Sequence, residues 1–251
     1  MEYSVICIGT YHKTGTVWMQ GIFQAAAEQL GIAFVGSDLS AYAEATAPVA
    51  AGIYFDDHCR VPTALQGSAT RGFRLVRDPR DVVISGAHYH SKSTEPWLQR
   101  PIDRLGDRSY QQALIDQGDW LNRYAFEMEQ TAAATTDHMV ADISLESGSF
   151  RTVRYEDLIC PDGGEACFSN LLEFLGFDAS ETDIVTGLYR QQSLAGGKSV
   201  DRRHARSGKS QQWKSVYSRA LAQKFVDLHG DALLALGYEK NHRWLEALPE
   251  G

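Results

Sequence analysis

The stretch "GTYHKTGTVW" at residues 9–18 combines two glycines, a lysine and threonines directly after an apolar segment. Residues 3–8, "YSVICI", are a β-prone apolar run typical of a strand buried on both faces of a parallel sheet. Residues 17–31, "VWMQGIFQAAAEQLG", place apolar residues at helical spacing and end on glycine. A glycine-containing loop between a strand and a helix favours anions, because its amides and the helix dipole attract negative charge. We therefore expect this loop, with Lys13, to bind an anionic ligand.

The spacing of this loop differs from the nucleoside-triphosphate pattern G-x-x-x-x-G-K-[ST]. Gly9 is followed by Gly15, one residue too late, and Thr16 stands where the pattern requires lysine. Two Gly-Lys-Ser triplets occur at residues 197–199 and 208–210, but neither has the upstream glycine or follows a clear strand. The chain therefore lacks a strict triphosphate loop and the Mg²⁺ arrangement that accompanies it.

Strand and helix patterns alternate along the rest of the chain. Strands are predicted at residues 32–36, 72–78 and 150–158, and helices from residue 79, at 109–134 with a bend near Gly118, at 165–176 and at 218–238. This alternation predicts one three-layer α/β/α domain over residues 1–251, with a central, mostly parallel sheet. Ligands of such sheets bind at the carboxyl ends of the strands.

The composition restricts the class of partner and the compartment. The formal net charge of −8 disfavours nucleic acid or a membrane surface as the main partner, so an anion needs a local basic cluster. The four cysteines have no CxxC spacing, which predicts free thiols and no metal site. No apolar stretch is long enough to cross a membrane, and the N-terminus lacks the basic region of a signal peptide. We expect a cytoplasmic protein without stable membrane insertion.

The segment "YHKTGTVW" at residues 11–18 resembles the 5′-phosphosulfate-binding loop of sulfotransferases that use 3′-phosphoadenosine 5′-phosphosulfate (PAPS), roughly Y-P-K-[ST]-G-[ST]-[TS]-W. His12 replaces the proline of that loop, and Val17 replaces its second hydroxyl residue. The resemblance implies a cytosolic-type or bacterial sulfotransferase domain with the P-loop-like fold, PAPS as donor, 3′-phosphoadenosine 5′-phosphate (PAP) as product, and no metal. The donor-binding residues that it implies in this loop are Tyr11, His12, Lys13, Thr14, Gly15, Thr16, Val17 and Trp18.

The segment "VRDPRDVVIS" at residues 76–85 resembles the family's 3′-phosphate motif, R-[ND]-P-[KR]-D-x-x-x-S. The resemblance implies that Arg77 and Ser85 bind the 3′-phosphate. An arginine at the end of a strand can bind phosphate through two parallel hydrogen bonds. The alternative for Arg77 is a salt bridge with Asp78 or Asp81.

Two further segments resemble the family in the family's order. Residues 153–158, "VRYEDL", match its Y-E-D-L segment and place Tyr155 near the adenine or the phosphate. Residues 206–214, "RSGKSQQWK", resemble the loop R-[KR]-G-x-x-G-x-W-[KR] that folds over the nucleotide, with departures at Ser207 and Gln211. The remaining nucleotide-binding candidates are Ser193, Arg206, Ser207 and Gly208. The run "DRRHARSGK" at residues 201–209 is the local basic cluster that an anionic ligand requires in a protein of net negative charge.

Sulfuryl transfer requires charge neutralisation at the leaving oxygen and a general base for the acceptor. Lys13 is the candidate for the first task. The family's base is a histidine upstream of the 3′-phosphate motif, and His58 in "YFDDHCRVP" lies nineteen residues before Arg77. Asp56 or Asp57 can orient His58 or act as the base instead.

Other side chains keep two interpretations. Trp18 either stacks on the adenine or packs in the core, and His88 and His90 are either structural or line the acceptor pocket. His12 can contact the sulfate or the acceptor. The acceptor is predicted to be a small alcohol, phenol, lipid or glycan, or an amine, bound by residues 86–130, and no dimer motif is recognised. The rival functions are a P-loop small-molecule kinase and an inactive nucleotide-binding protein of the same fold.

Overall fold

The computed structural model describes residues 5–37, 39, 42, 49–67, 69–193 and 208–250. The chain divides into two compact units, each built from two segments. The first unit comprises Met1–Arg77 and Asp142–Gly208, and the second comprises Asp78–Ala141 and Lys209–Gly251. The single domain expected over residues 1–251 stays a prediction.

The described strands and helices alternate along most of the chain. The strands are β1 (Val5–Thr10), β2 (Phe34–Ser37), β3 (Gly52–Asp56), β4 (Thr70–Val76), β5 (Pro101–Ile102), β6 (Arg108–Ser109) and β7 (Phe150–Arg154). The helices are α1 (Thr16–Leu30), α2 (Pro79–His90), α3 (Pro96–Gln99), α4 (Tyr110–Ile115), α5 (Trp120–Glu129), α6 (Thr131–Ala141), α7 (Tyr155–Leu158), α8 (Gly164–Phe174), α9 (Ala179–Gln192) and α10 (Arg219–Ala235). Short 3₁₀ helices cover Thr63–Leu65, Asp103–Leu105, Asp142–Leu145, Gln212–Ser215 and His242–Ala247.

The first unit contains a five-stranded sheet in the order β2-β3-β1-β4-β7, and all four pairings are parallel. All six residues of β1 are buried, which explains why its sequence is an apolar run without alternation. Gly9 pairs with Asp56 of β3 on one side and with Arg74 of β4 on the other. The prediction of an α/β fold with a central parallel sheet is confirmed, and this sheet is wholly parallel.

One face of this sheet packs against α1, α8 and α9. The apolar contacts come from alternate strand residues such as Ile6 and Ile8, and from helix residues such as Phe23, Phe168 and Val185. These side chains are all fully buried. Burial of apolar surface contributes about 25 cal/mol for each Å² removed from water, so this core stabilises the packing of the three helices on the sheet.

The second unit is mostly helical, with a short antiparallel pair of β5 and β6. Asp78 caps α2 by accepting a hydrogen bond from the backbone N–H of Arg80, and Pro79 occupies the first turn. The guanidinium of Arg80, 2 % exposed, lies 3.7 Å from the ring centre of Trp213 and 4.5 Å from that of Trp244. Arg80 thus ties the start of α2 to the C-terminal segment of the same unit.

A second buried polar group lies among α2, α4 and α5. Nδ1 of His90 is 2.9 Å from Oε2 of Glu127, and the hydroxyl of Tyr110 donates to the same oxygen at 2.9 Å. All three residues are at most 2 % exposed. Of the two interpretations of His90, this environment favours the structural one.

Three boundaries differ from the sequence-based expectations. The helix predicted over residues 109–134 with a bend near Gly118 is divided further: the chain forms α4, α5 and the start of α6, because Gly118 adopts φ +81° and Asp119 caps a new helix. The strand predicted over 150–158 ends at Arg154, where α7 begins. Strand β3 was not predicted, since its short segment precedes a cluster of charged residues.

Candidate functional site

Four adjacent strands of the first unit end beside sequence motifs. The strands β3, β1, β4 and β7 are neighbours in that order, and they are followed by His58, Lys13, Arg77 and Tyr155 respectively. The carboxyl ends of parallel strands lie at one edge of a sheet, with about 4.8 Å between neighbours. The parallel sheet therefore brings segments distant in sequence to one edge.

The loop between β1 and α1 is organised around the carbonyl oxygen of Tyr11. It accepts hydrogen bonds from the N–H of Thr14 at 3.1 Å, from the Thr14 hydroxyl at 2.9 Å and from the Thr16 hydroxyl at 3.0 Å. The hydroxyl of Thr14 also accepts from the N–H of Tyr11 at 3.0 Å. Both threonine hydroxyls, which we expected to face the ligand, donate within the loop here.

Two residues of this loop adopt left-handed backbone conformations. Gly15, the N-cap of α1, has φ +116°, and Lys13 has φ +67°. A Cβ atom on Gly15 would lie 3.2 Å from Cδ2 of Leu75 and 3.2 Å from Cδ2 of Tyr155. Glycine is therefore required at this position for both conformation and space.

The N-terminus of α1 suits an anion. No side chain caps it and its first turn contains no acidic residue. The first N–H groups of an α-helix have no acceptor inside the helix, and the helix dipole places partial positive charge there. These donors and the neighbouring Lys13 fit a phosphate or phosphosulfate group, as the sequence predicts.

Arg77 links two of the motifs. Its Nη1 donates to the carbonyl oxygen of Lys13 at 3.1 Å, and its guanidinium lies 4.7 Å from the ring centre of Tyr155. Arg77 is 6 % exposed and Tyr155 is 7 % exposed. The alternative of a surface salt bridge does not describe Arg77, because its side chain is buried against these two residues.

Trp18 packs edge-on to Tyr155, with ring centres 6.0 Å apart, and against Tyr189 at 5.6 Å. Its side chain is partly buried and borders the core of the first unit. Its indole Nε1 is buried and has no hydrogen-bond acceptor within the described residues. These contacts support the core interpretation of Trp18. Tyr189 was not among the predicted site residues, because it lies on helix α9, far from Trp18 in the sequence.

The base candidates occupy the turn after β3. Asp56 is fully buried, and its carboxylate accepts hydrogen bonds from the backbone N–H groups of Leu39, His58 and Arg60. Asp56 therefore shapes the turn, and this weakens its case as the base. His58 has a side chain 52 % exposed, and its Nε2 lies 3.8 Å from Oδ1 of Asp57. Burial raises the pKa of Asp57, the largest of several influences on that carboxyl group.

The turn after β3 packs tightly against the end of β1. A Cβ atom on Gly9 would lie 2.3 Å from Sγ of Cys59, so the glycine of β1 leaves room for the thiol. Burial raises the pKa of Cys59 to about 12, and the thiol is therefore protonated at neutral pH.

The hydroxyl of Tyr11 donates to Asp142 at 2.8 Å and accepts from Arg74 at 3.4 Å. Tyr11 thus anchors the loop from below.

The remaining site candidates belong to several elements. Ser85 is a partly buried residue of α2 in the second unit, and Ser193 ends α9 with its hydroxyl donating to the carbonyl of Arg190 at 3.0 Å. Gly208 has φ +58°. His12 is partly buried and Val17 is 52 % exposed. Arg206 and Ser207 lie outside the described residues, so their roles stay predictions.

The histidine after Ser85 belongs to an aromatic group of the second unit. Nε2 of His88 lies 3.0 Å from the hydroxyl of Tyr124, and its ring centre is 3.9 Å from that of Trp120. Tyr124 is 4 % exposed, whereas Trp120 is 37 % exposed. His88 therefore connects a buried tyrosine to a partly exposed tryptophan.

The described residues show neither a metal-binding cluster nor a membrane-spanning helix. Within the ranges that the structure describes, no three His, Cys, Asp or Glu side chains lie together as a metal-binding group. All four cysteines are free. Among the described helices, none is both long and apolar enough to span a bilayer.

The chain resembles solved structures of sulfotransferases. The structure of mouse sulfotransferase SULT7A1 complexed with PAP superimposes with a TM-score of 0.62 at 16 % identity, covering 98 % of this chain and 88 % of that chain. Retinol dehydratase with androsterone and the inactive cofactor PAP gives 0.60 at 14 % identity, covering 93 % and 81 %. Its complex with retinol and PAP gives 0.56 at 13 % identity, covering 93 % and 82 %.

No protein-family model and no curated protein matches the chain by sequence. The similarity to these solved structures shows the fold alone, because the sequences are at most 16 % identical. The chain therefore has the α/β fold of PAP-bound sulfotransferases, which confirms the fold expected from the four motifs.

Proposed function

We propose that this protein is a sulfotransferase that moves the sulfuryl group of PAPS to a hydroxyl or amine of a small-molecule acceptor. The observation that carries the proposal is the contact of Arg77 with both Lys13 and Tyr155. It joins the three segments that resemble the 5′-phosphosulfate loop, the 3′-phosphate motif and the Y-E-D-L motif. The fold shared with PAP-bound sulfotransferases supports the same conclusion.

The residues of the first unit fit the donor. The uncapped first turn of α1 and the side chain of Lys13 suit the 5′-phosphosulfate. Arg77 has five N–H donors in a planar fork, so its bond to Lys13 is compatible with a further bond to the 3′-phosphate. The resemblance of the sequence motifs to those of PAPS-dependent sulfotransferases implies further donor-binding residues, namely Tyr155, Ser85, Ser193, Arg206, Ser207 and Gly208.

The chemistry follows from in-line displacement at sulfur. A bond forms between the acceptor oxygen and sulfur while the bond from sulfur to the 5′-phosphate oxygen breaks, and PAP leaves. Lys13 neutralises the charge that develops on that phosphate oxygen. His58 takes the acceptor proton, and the carboxylate of Asp57, with Oδ1 3.8 Å from its Nε2, stabilises the imidazolium that forms. Transfer needs no metal on this scheme.

The acceptor is a small alcohol, phenol, lipid or glycan. Residues 86–130 contain several aromatic side chains, of which Trp97 and Trp120 are each 37 % exposed while Tyr110 and Tyr124 are buried. The two tryptophans are therefore the most exposed large aromatic residues of this segment and can contact an acceptor. They favour one with an apolar or ring-bearing surface.

Ligand-dependent thermal unfolding tests the donor. PAP should raise the melting temperature of the purified protein, and ATP with Mg²⁺ should raise it much less. A kinase would respond to ATP with Mg²⁺ at least as strongly, and equal shifts or none would overturn the proposal. Transfer of label from ³⁵S-PAPS to a panel of alcohols, phenols, lipids and glycans then identifies the acceptor. Transfer to none of them, with PAP still bound, would favour an inactive nucleotide-binding protein.

A further inference from the structure

We propose that Arg77 is also a positioning residue for Lys13, so that the 3′-phosphate contact and the lysine at the sulfuryl group depend on one guanidinium. This inference rests on the proposed function. The resemblance implies only a 3′-phosphate contact for Arg77. Its hydrogen bond to the carbonyl of Lys13 adds a second role, which is to hold the loop that carries this lysine.

The peptide unit between Lys13 and Thr14 is bonded at both ends. Its carbonyl oxygen accepts from Nη1 of Arg77 at 3.1 Å, and its N–H donates to the carbonyl oxygen of Tyr11 at 3.1 Å. The orientation of this peptide plane sets the ψ angle of Lys13. With both ends bonded, the plane cannot rotate unless one of the two hydrogen bonds breaks.

These two hydrogen bonds stabilise an unfavourable backbone conformation, because Lys13 has φ +67°. Residues other than glycine disfavour the left-handed region, and such conformations persist where the surroundings determine them. The bond from Arg77 is charge-assisted and therefore stronger than a bond between neutral groups. It stabilises the backbone conformation from which the side chain of Lys13 extends.

Arg77 is itself fixed by its neighbours. The ring of Tyr155 lies 4.7 Å from its guanidinium, and the same ring would be 3.2 Å from a Cβ atom on Gly15. Tyr155 therefore packs against both the loop and the arginine that stabilises the loop. This cation–π contact, combined with a hydrogen bond to the loop, suits the guanidinium of arginine better than the ammonium of lysine.

A consequence for donor recognition follows. A 3′-phosphate bound to Arg77 restrains the guanidinium that orients the Lys13–Thr14 peptide unit. Loss of Arg77 should then affect catalysis as well as binding. A residue that only binds donor contributes equally to the ground state and the transition state, and its loss raises KM with little change in kcat.

The first experiment measures amide exchange at Thr14 by NMR, without added ligand. Arg77→Met removes the donor with little change in volume, and Arg77→Lys keeps the charge but loses the planar fork. Exchange at Thr14 should rise on the order of tenfold in both, the factor expected for loss of one charge-assisted hydrogen bond. Ser85→Ala is the matched control, because it alters a proposed 3′-phosphate contact without changing Arg77 or Lys13. Amide exchange at Thr14 in this variant should equal that of wild type.

The second experiment separates kcat from KM. At saturating PAPS, Arg77→Lys should lower kcat on the order of tenfold in addition to raising KM. Wild-type exchange at Thr14 in both Arg77 variants, or a change confined to KM, would overturn the inference. Circular dichroism and thermal unfolding confirm that each variant folds. Failure of the proposed function would appear differently, as absence of PAP binding by wild type, whereas amide exchange at Thr14 reports opening of the Lys13–Thr14 peptide unit without any donor.

Discussion

Oδ1 of Asp57 lies 3.8 Å from Nε2 of His58, in the turn that follows β3. The turn itself is fixed by Asp56, whose buried carboxylate accepts the backbone N–H groups of His58 and Arg60. One aspartate therefore shapes the backbone and its neighbour faces the imidazole. This arrangement supports His58 as the base that we propose, with the carboxylate of Asp57 beside it to stabilise the imidazolium.

Replacement of His58 by alanine should lower transfer by more than about a hundredfold, the contribution typical of a general base. Affinity for PAP should stay near that of wild type, because the imidazole acts on the acceptor. Asp57→Asn should cause a smaller loss of kcat. His138→Ala, at an exposed histidine of α6, is the control for loss of a surface imidazole. Transfer that survives His58→Ala would place the base elsewhere, with Asp57 the next candidate.

The raised pKa of Asp57 predicts a pH-dependent contribution to stability. Its ordinary pKa is 3.8, and burial is the main cause of the increase. As pH rises above that value, the unfolded chain loses this proton before the folded protein does, so stability falls. Asp57→Asn removes this loss and should therefore be more stable relative to wild type near about pH 7 than near about pH 3.

Thermal unfolding of both proteins at the two pH values checks this expectation. Asp137→Asn, at an exposed aspartate of α6, is the matched control. If the difference between wild type and Asp57→Asn does not change with pH, burial does not disfavour the ionised Asp57.

Gly15→Ala should destabilise the protein by roughly 1–3 kcal/mol, because alanine disfavours φ +116°. The added methyl group would also lie 3.2 Å from Leu75 and Tyr155. PAP affinity should fall with stability, since the loop must shift. Gly31→Ala is the control: φ is +66°, and no atom lies within 4 Å of the added Cβ. Urea unfolding and PAP titration measure both effects, and equal PAP affinities in the two variants would contradict a role for loop geometry.

Arg80→Met should cost roughly 3–5 kcal/mol of unfolding free energy, the range for removal of one member of a buried ion pair. Arg80 donates to Asp78 at 2.8 Å and to Glu239 at 2.7 Å, and methionine replaces neither bond. Arg190→Met, which breaks an exposed pair with Glu165, should change stability little. Urea unfolding compares the two, and similar small effects would show that Arg80 contributes only packing.

The sequence was sufficient for the fold and for most of the loop between β1 and α1. The apolar run of β1, the glycine-containing loop and the helix after it are local patterns, and each corresponds to an element of the structure. Local patterns failed where they were weak. Short β3 was missed, and the bend expected near Gly118 is a full break that a second break between α5 and α6 follows, because separate helices can share one apolar pattern.

The sequence by itself determined that a parallel α/β sheet presents Lys13 at the end of its first strand, because strand, loop and helix signals depend on neighbouring residues. Only the tertiary structure decided what surrounds that lysine. Parallel pairing of β1 with β4 and of β4 with β7 brings Arg77 to the carbonyl of Lys13 and to the ring of Tyr155. These contacts join segments far apart in the chain. No local pattern specifies them, since they form only when the sheet assembles.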